Sequence, residues 1–239
     1  MSPDWANKPE PVPYAKLTNP QSLNLYAFAQ DNPESTPDLD GHELVKLGQH
    51  TDEQIKDRTK EIDKQLKDKS LSKDAKSALK AEKNTLGLEK EGNAAAGNYL
   101  KALDSVGERH GLQLSDITLT TDVKHDFSSV NLSDATKKGI SSSLTAAFVL
   151  GNVSPIYLKT ESDFYQGNDS IGFGSPAERD DYGGTILRHE QSHTSGASEH
   201  DAYSLQRQIW KKFRNDVSPG VFGRADEKLQ KSIETHKDD

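Results

Sequence analysis

The sequence predicts an α+β protein with three parts: a loop-rich N-terminal tail, a charged helical hairpin, and a small mixed domain that carries a histidine-bearing helix beside an edge strand. Turn-forming residues crowd positions 1–42, and charged residues with apolar ones at helical spacing fill 51–109. From about 113 onward, short alternating segments mix with amphipathic ones. The expected divisions are therefore 1–42, 43–112 and 113–239. A chain of 239 residues can bury a core, but with 32% apolar and 28% charged residues that core is small.

In the first part, Leu23, Leu25, Tyr26 and Phe28 stand between Pro, Asn, Asp and Ser, the residues of turns and short strands. From 51 to 92, eleven Lys and Arg face ten Asp and Glu, so the run is dense in charge yet nearly neutral. Together with a net charge of -8, this argues against nucleic acid as a partner. Ile55, Ile62 and Leu66 recur at near-helical spacing, Thr51 with Gln54 suits a helix start, and Asp63 with Lys67 forms an i,i+4 pair. A second helix is expected after Ser72 through Ala75, Leu79 and Leu86. A third should carry Ala95, Tyr99, Leu100, Leu103 and Val106 and end before Gly111.

In the last part, Ile117, Leu119 and Thr121 alternate as in a strand, and 155–160 forms another strand candidate. Between them a helix is expected over 133–149, with Ile140, Leu144, Ala147 and Phe148 on it. Positions 169–174 read as an edge strand, on which an extended peptide can dock by strand addition. The charged tail 226–239 is expected to fray.

Ile186-Leu-Arg-His-Glu-Gln-Ser-His193 carries the chemistry. Residues four apart share one helix face, so His189 and His193 can present ring nitrogens to a single ion. Glu190, one step round, can take a proton from an attacking water. With eight histidines and fifteen glutamates in the chain, chance supplies this pattern only about 0.02 times. Asp180 and Asp181 suit the helix start and Gly196 its end. There is no cysteine, so a metal must be held by imidazole or carboxylate; the expected ion is Zn2+.

A third ligand is needed. After Gly196 comes Ser198-Glu-His-Asp-Ala-Tyr203, followed by Leu205, Ile209, Trp210 and Phe213 on one face of a new helix. Ser198 suits the cap, with Asp201 closing a capping box, and Glu199 falls in the first turn. Glu199 is the favoured ligand, with His200 and Asp201 as competitors. Tyr203 and His200 are candidates to stabilise an oxyanion, and Tyr182 is a weaker one. Trp210 is expected in the core, and His110 and His125 on the surface. The run resembles the gluzincin type of metallopeptidase, in which HExxH is followed by a Glu ligand opening a second helix, often as ExxA. Glu199 and Ala202 match that pattern, which implies a zincin-like domain that cleaves a protein or peptide substrate.

The first 42 residues carry a separate resemblance. SPDW, then NPQSLNLYAFAQDNPESTPDLDGH, resembles the end of the core of Rhs-repeat proteins, β-shell proteins with variable toxins at their C-termini. Leu25, Tyr26, Asn32, Pro33, Asp38 and Gly41 fall at matching places, while Leu39 and His42 depart from the pattern. The resemblance implies a toxin or effector module, with an Rhs shell and an immunity protein as partners and Asp38 as a candidate for self-cleavage. The first residues lack the basic-then-apolar order of a secretory leader, so any export is expected through a specialised secretion system. No stretch approaches the roughly 18–20 apolar residues of a membrane span, so no membrane partner is expected.

Overall fold

The computed structural model describes residues 44–151 and 153–238. The Rhs-like segment, Asp38 included, and the apolar pieces at 23–28 lie outside them. Within these residues the protein is α+β. Strand β1 (Leu44–Lys46) precedes two long helices, α1 (Asp52–Leu66) and α2 (Lys73–Ser105). Then come β2 (Ile117–Thr120), short helices α3 (Val123–Asp126) and α4 (Asp134–Ile140), β3 (Ala147–Leu150) and β4 (Val153–Lys159). A short α5 (Asp163–Gln166) leads to three closing helices: α6 (Pro176–Thr194), α7 (Glu199–Lys212) and α8 (Pro219–Thr235).

The hairpin forms as its capping signals dictate. Thr51 accepts from the Gln54 backbone while the Gln54 side chain accepts from the Thr51 backbone, a reciprocal box that satisfies two orphan donors of α1. Asp63, expected to pair with Lys67 within α1, reaches Lys83 across the hairpin instead, and Arg58 grips Glu82 with two nitrogens. The two expected helices after Ser72 are one helix of 33 residues, about 50 Å long. The polar stretch around 89–92 does not interrupt it because tertiary contacts absorb those residues. Buried Glu89 accepts from the backbone and the ring of His50, and Gly92 lies so close to Leu47 that a Cβ there would sit 2.6 Å from a leucine methyl.

The sheet has the order β1-β2-β4-β3: β2 and β4 run parallel, and the outer strands pair antiparallel. The strand expectations around 117–121 and 155–160 agree with β2 and β4. The helix expected over 133–149 stops at Ile140, and Ala147 and Phe148 stand in edge strand β3, where Phe148 packs on Phe127 and Tyr157. Residues 169–174 form no strand. The Asp169 carboxylate accepts from the amides of Ile171 and Gly172, bending the chain into a turn, so the alternation there was that of a loop with one buried residue, Ile171.

One core runs from the hairpin into the last helices, with Leu47, Tyr99, Leu103, Leu119, Leu158, Leu187, Trp210 and Leu229 among its buried members. It thus crosses the expected division at 112/113. The tail from 226 is not frayed at its start: Val221, Ala225 and Leu229, four residues apart, bury one face of α8. The contact that positions α6 is also close. A Cβ on Gly183 would meet the Tyr99 ring at 2.6 Å, and one on Gly184 the Tyr99 carbonyl oxygen at 2.8 Å. Only glycine permits that approach.

Candidate metal centre

Helix α6 starts five residues before Asp181. Ser175 caps it, its hydroxyl accepting from the Glu178 amide, and Pro176 takes the first turn, where no donor is missed. Glu178 turns back to accept from the amides of Gly174 (2.7 Å) and Ser218 (2.8 Å), and these bonds, Ser218 foremost, hold its pKa below the usual range. The helix start is thereby tied to the turn before α8. Asp180 and Asp181 sit in the second turn instead, where burial pushes both carboxyls up, Asp181 to about 6 with help from Asp216, Asp180 and Glu178.

At the other end, α6 stops as expected. Gly196 takes φ +85°, and the amides of Gly196 and Ala197 bond back to the carbonyls of His193 and Ser192. This tight turn lets Ser198 cap α7, with its hydroxyl accepting from the Asp201 amide, and leaves Glu199 at the first helical position facing back to α6. Asp201 does not return the reciprocal bond of a capping box.

The result is one compact donor group. Nε2 of His189 and Nε2 of His193 lie 3.2 Å apart, and the Glu199 carboxylate oxygens lie 3.5 Å from the first and 3.6 Å from the second. Among the described residues this is the one group of three His, Asp or Glu side chains with ligand atoms this close. Nδ1 of His193 lies 2.9 Å from the Ala197 carbonyl, which can only accept, so Nδ1 carries a proton and Nε2 is the nitrogen turned to the donor group. Nδ1 of buried His189 has no hydrogen-bond partner, and the polar group turned towards that ring is the Gln206 carboxamide. Gln206 is itself buried and is held by donating to Thr185, whose hydroxyl donates to the Tyr182 carbonyl. Burial holds the His189 ring towards its neutral form, and hydrogen bonding to His189 lowers the pKa of Glu199. Two imidazole nitrogens and a carboxylate converging in this way suit a shared cation.

Glu190 is buried at 8% exposure. Burial first, then the Glu199 charge, push its pKa up to about 8, opposed by the amide of Val149. Val149 lies at the register shift of β3, where Phe148 and Leu150 no longer pair in step with β4. Edge strand β3 therefore borders the centre on one side of a cleft of about 640 Å³, and α8 borders it on the other through Lys228, Leu229 and Ser232.

Tyr203 also lines the cleft, its ring edge-on to His189 with centroids 4.4 Å apart and stacked on its other side against His236. Burial pushes its hydroxyl up to about 12, opposed by a hydrogen bond with Ser232. Tyr182 lies in the wall, packed against Trp210, Phe164 and Phe173. His200 shares the first turn of α7 with Glu199 but neither joins the donor group nor lines the cleft. Trp210 is fully buried, His110 is exposed, and His125 is half-buried. Sequence reasoning did not reach Val149, Gln206 or His236, because each enters through tertiary contact. The paired glycines 183 and 184 inside a helical pattern were the one legible sign of close packing.

Comparison of the chain with protein-family models, curated proteins and solved structures finds no match. No helix of the described residues is long and apolar enough to cross a membrane.

Proposed function

We propose that this chain is a zinc-dependent metalloendopeptidase with a zincin-like active site, acting as the C-terminal toxin or effector of an Rhs-type protein. The observation that carries the enzymatic reading is the buried Glu190 carboxylate in one cleft with the His189–His193–Glu199 donor group. The donor set fits Zn2+, which takes imidazole nitrogen and carboxylate oxygen and in hydrolytic sites keeps one position for water. When bound, the ion supplies Lewis acidity, polarising the scissile carbonyl and making water a usable nucleophile near neutral pH.

The remaining steps belong to the chain. The Nδ1 hydrogen bond of His193 and the turn at Gly196 hold the three ligands in place before any ion arrives. Glu190 accepts the proton of the attacking water and passes it to the amide nitrogen as the C–N bond breaks. Tyr203, lying against His189, is the candidate to hydrogen-bond the developing oxyanion, whereas His200 takes no part. The substrate is an extended peptide added along the open side of β3. The delivered-toxin role, with an Rhs shell and an immunity protein as partners, rests on the resemblance in residues 1–42.

The test is elemental analysis of the purified chain together with peptide cleavage before and after chelation. One zinc per chain is expected, with cleavage abolished by chelation and restored by zinc. Glu190→Gln should keep the metal and lose at least about 100-fold in cleavage rate. Absence of stoichiometric metal and of cleavage overturns the reading in favour of a binding module, and full cleavage by the variant removes Glu190 from the role of base.

A further inference from the structure

The loop between α4 and β3 is bound down along its length, yet it holds an apolar side chain out in water. Lys159 on β4 is 1% exposed, and its ammonium donates to the carbonyls of Ile140 (3.0 Å) and Ser142 (2.8 Å) where α4 ends. The Ser143 carbonyl accepts from the Asp163 amide, and its hydroxyl donates to the Asp163 carboxylate, both at 2.8 Å. The Thr145 hydroxyl closes the loop on the Gly139 carbonyl. Burying an ammonium is costly unless it is hydrogen-bonded, so Lys159 is committed to fixing this loop. Within it, Leu144 is 72% exposed. Of the three large apolar side chains that face solvent among the described residues, it is the most exposed and the only one that lines the cleft. A lone exposed leucine is ordinary. A leucine held out by a pinned loop over a cleft that contains three convergent metal ligands has a use.

We propose that Leu144 is a specificity-determining residue that packs on a bulky apolar side chain of the extended peptide lying along β3. This rests on the peptidase reading above and adds the substrate class. Two observations select the occupant. First, the cleft-lining residues between 136 and 151 include no ionisable side chain; the charged groups of the cleft, such as Asp163, Asp169 and Lys228, come from other elements. An anionic substrate group against Leu144 would lose water and meet only the Asp163 carboxylate that Ser143 holds, whereas an apolar one removes both surfaces from water. Second, Leu144 leads directly into β3, and Val149 of that strand meets Glu190. At about 3.3 Å per residue, a peptide paired along the strand brings the apolar side chain to Leu144 within about five residues of the scissile bond.

The test uses the zinc-loaded chain and a mixed peptide library, with cut sites read by mass spectrometry, alongside Leu144→Asp and Leu144→Ala. Leu, Ile, Met or Phe should be enriched at one fixed position near the cut, with at least a ten-fold preference over Ala there. In Leu144→Asp that preference should fall to near one while zinc content and melting temperature hold, as suits an exposed site. A wild-type profile without apolar enrichment, or an unchanged preference in both variants, overturns the proposal while leaving peptidase activity standing. Binding of extended peptides carrying Leu, Phe or Ala at one position to zinc-loaded Glu190→Gln gives a readout without turnover. Tighter binding of the apolar forms is expected, and equal binding sinks the proposal. If the wild type cuts nothing, the peptidase reading fails, and the same binding comparison still decides the role of Leu144.

Discussion

Helices α1 and α2 are joined through the ends of long side chains, whereas α2 and α6 meet with nothing between one helix backbone and the ring of the other. Across the first pair run Arg58–Glu82 and Asp63–Lys83, partly exposed ion pairs over a core of only Ile55, Ile62 and Leu86. Exposed pairs of this kind each contribute a few tenths of a kcal/mol and tolerate drift. Across the second pair, Gly183 and Gly184 receive Tyr99 and Leu103 with no room to spare. Tight contact is therefore spent where it fixes the helix bearing His189 and His193, and loose contact suffices where no ligand depends on the geometry.

The largest break in that contrast is Gly184→Ala. Its new methyl meets a backbone oxygen, which cannot rotate aside, so we expect a loss of about 2–3 kcal/mol in denaturant unfolding and weakened metal uptake. A variant as stable as the parent would show that α6 is not held by this contact. Next comes Asp181→Asn, which probes what α6 gives up to its acidic flank. The Asp181 carboxyl has a folded pKa of about 6 against 3.8 when free, so between these values the native state holds more protons and stability falls as pH rises. The substitution should stabilise the protein at pH 7 by about 1 kcal/mol, after discounting for screening of this half-buried group, and the gain should vanish near pH 4. A gain that does not vary with pH would assign the effect to something other than this titration. The smallest effect is expected on the hairpin side. A Cβ on Gly87 meets nothing within 4 Å, so Gly87→Ala should stabilise by roughly 0.5–1 kcal/mol through helix propensity alone, measured by the same unfolding curves. A loss there would mean that the hairpin is packed as closely as α6.

Local chemistry was legible where local chemistry decides. The HExxH spacing, the stop at Gly196 and the caps at Thr51 and Ser198 all act within a turn or two of chain, and the structure places them as read. Where a distant partner decides, the reading failed. Glu89 and Gly92 look like a helix break until Leu47, Leu119 and His50 are seen to fill the surroundings. Ala147 and Phe148 fit a helix as well as a strand, since a short apolar run carries no period of its own. The α8 face was hidden because its three core residues are spaced among nine charged or polar ones. Gln206 reaches His189 from a different helix, a relation that spacing along the chain does not encode.

The turn closed by Gly196 puts all three side chains of the proposed metal centre within eleven consecutive positions, 189 to 199. Chelation there closes a very short loop, and the entropy lost on closing a loop grows only with the logarithm of its length, so little is lost here. On the proposed reading, a refolding chain can therefore capture the ion from neighbouring residues alone. Assembly of the sheet, with contacts as distant as Leu44 and Thr120, can follow later.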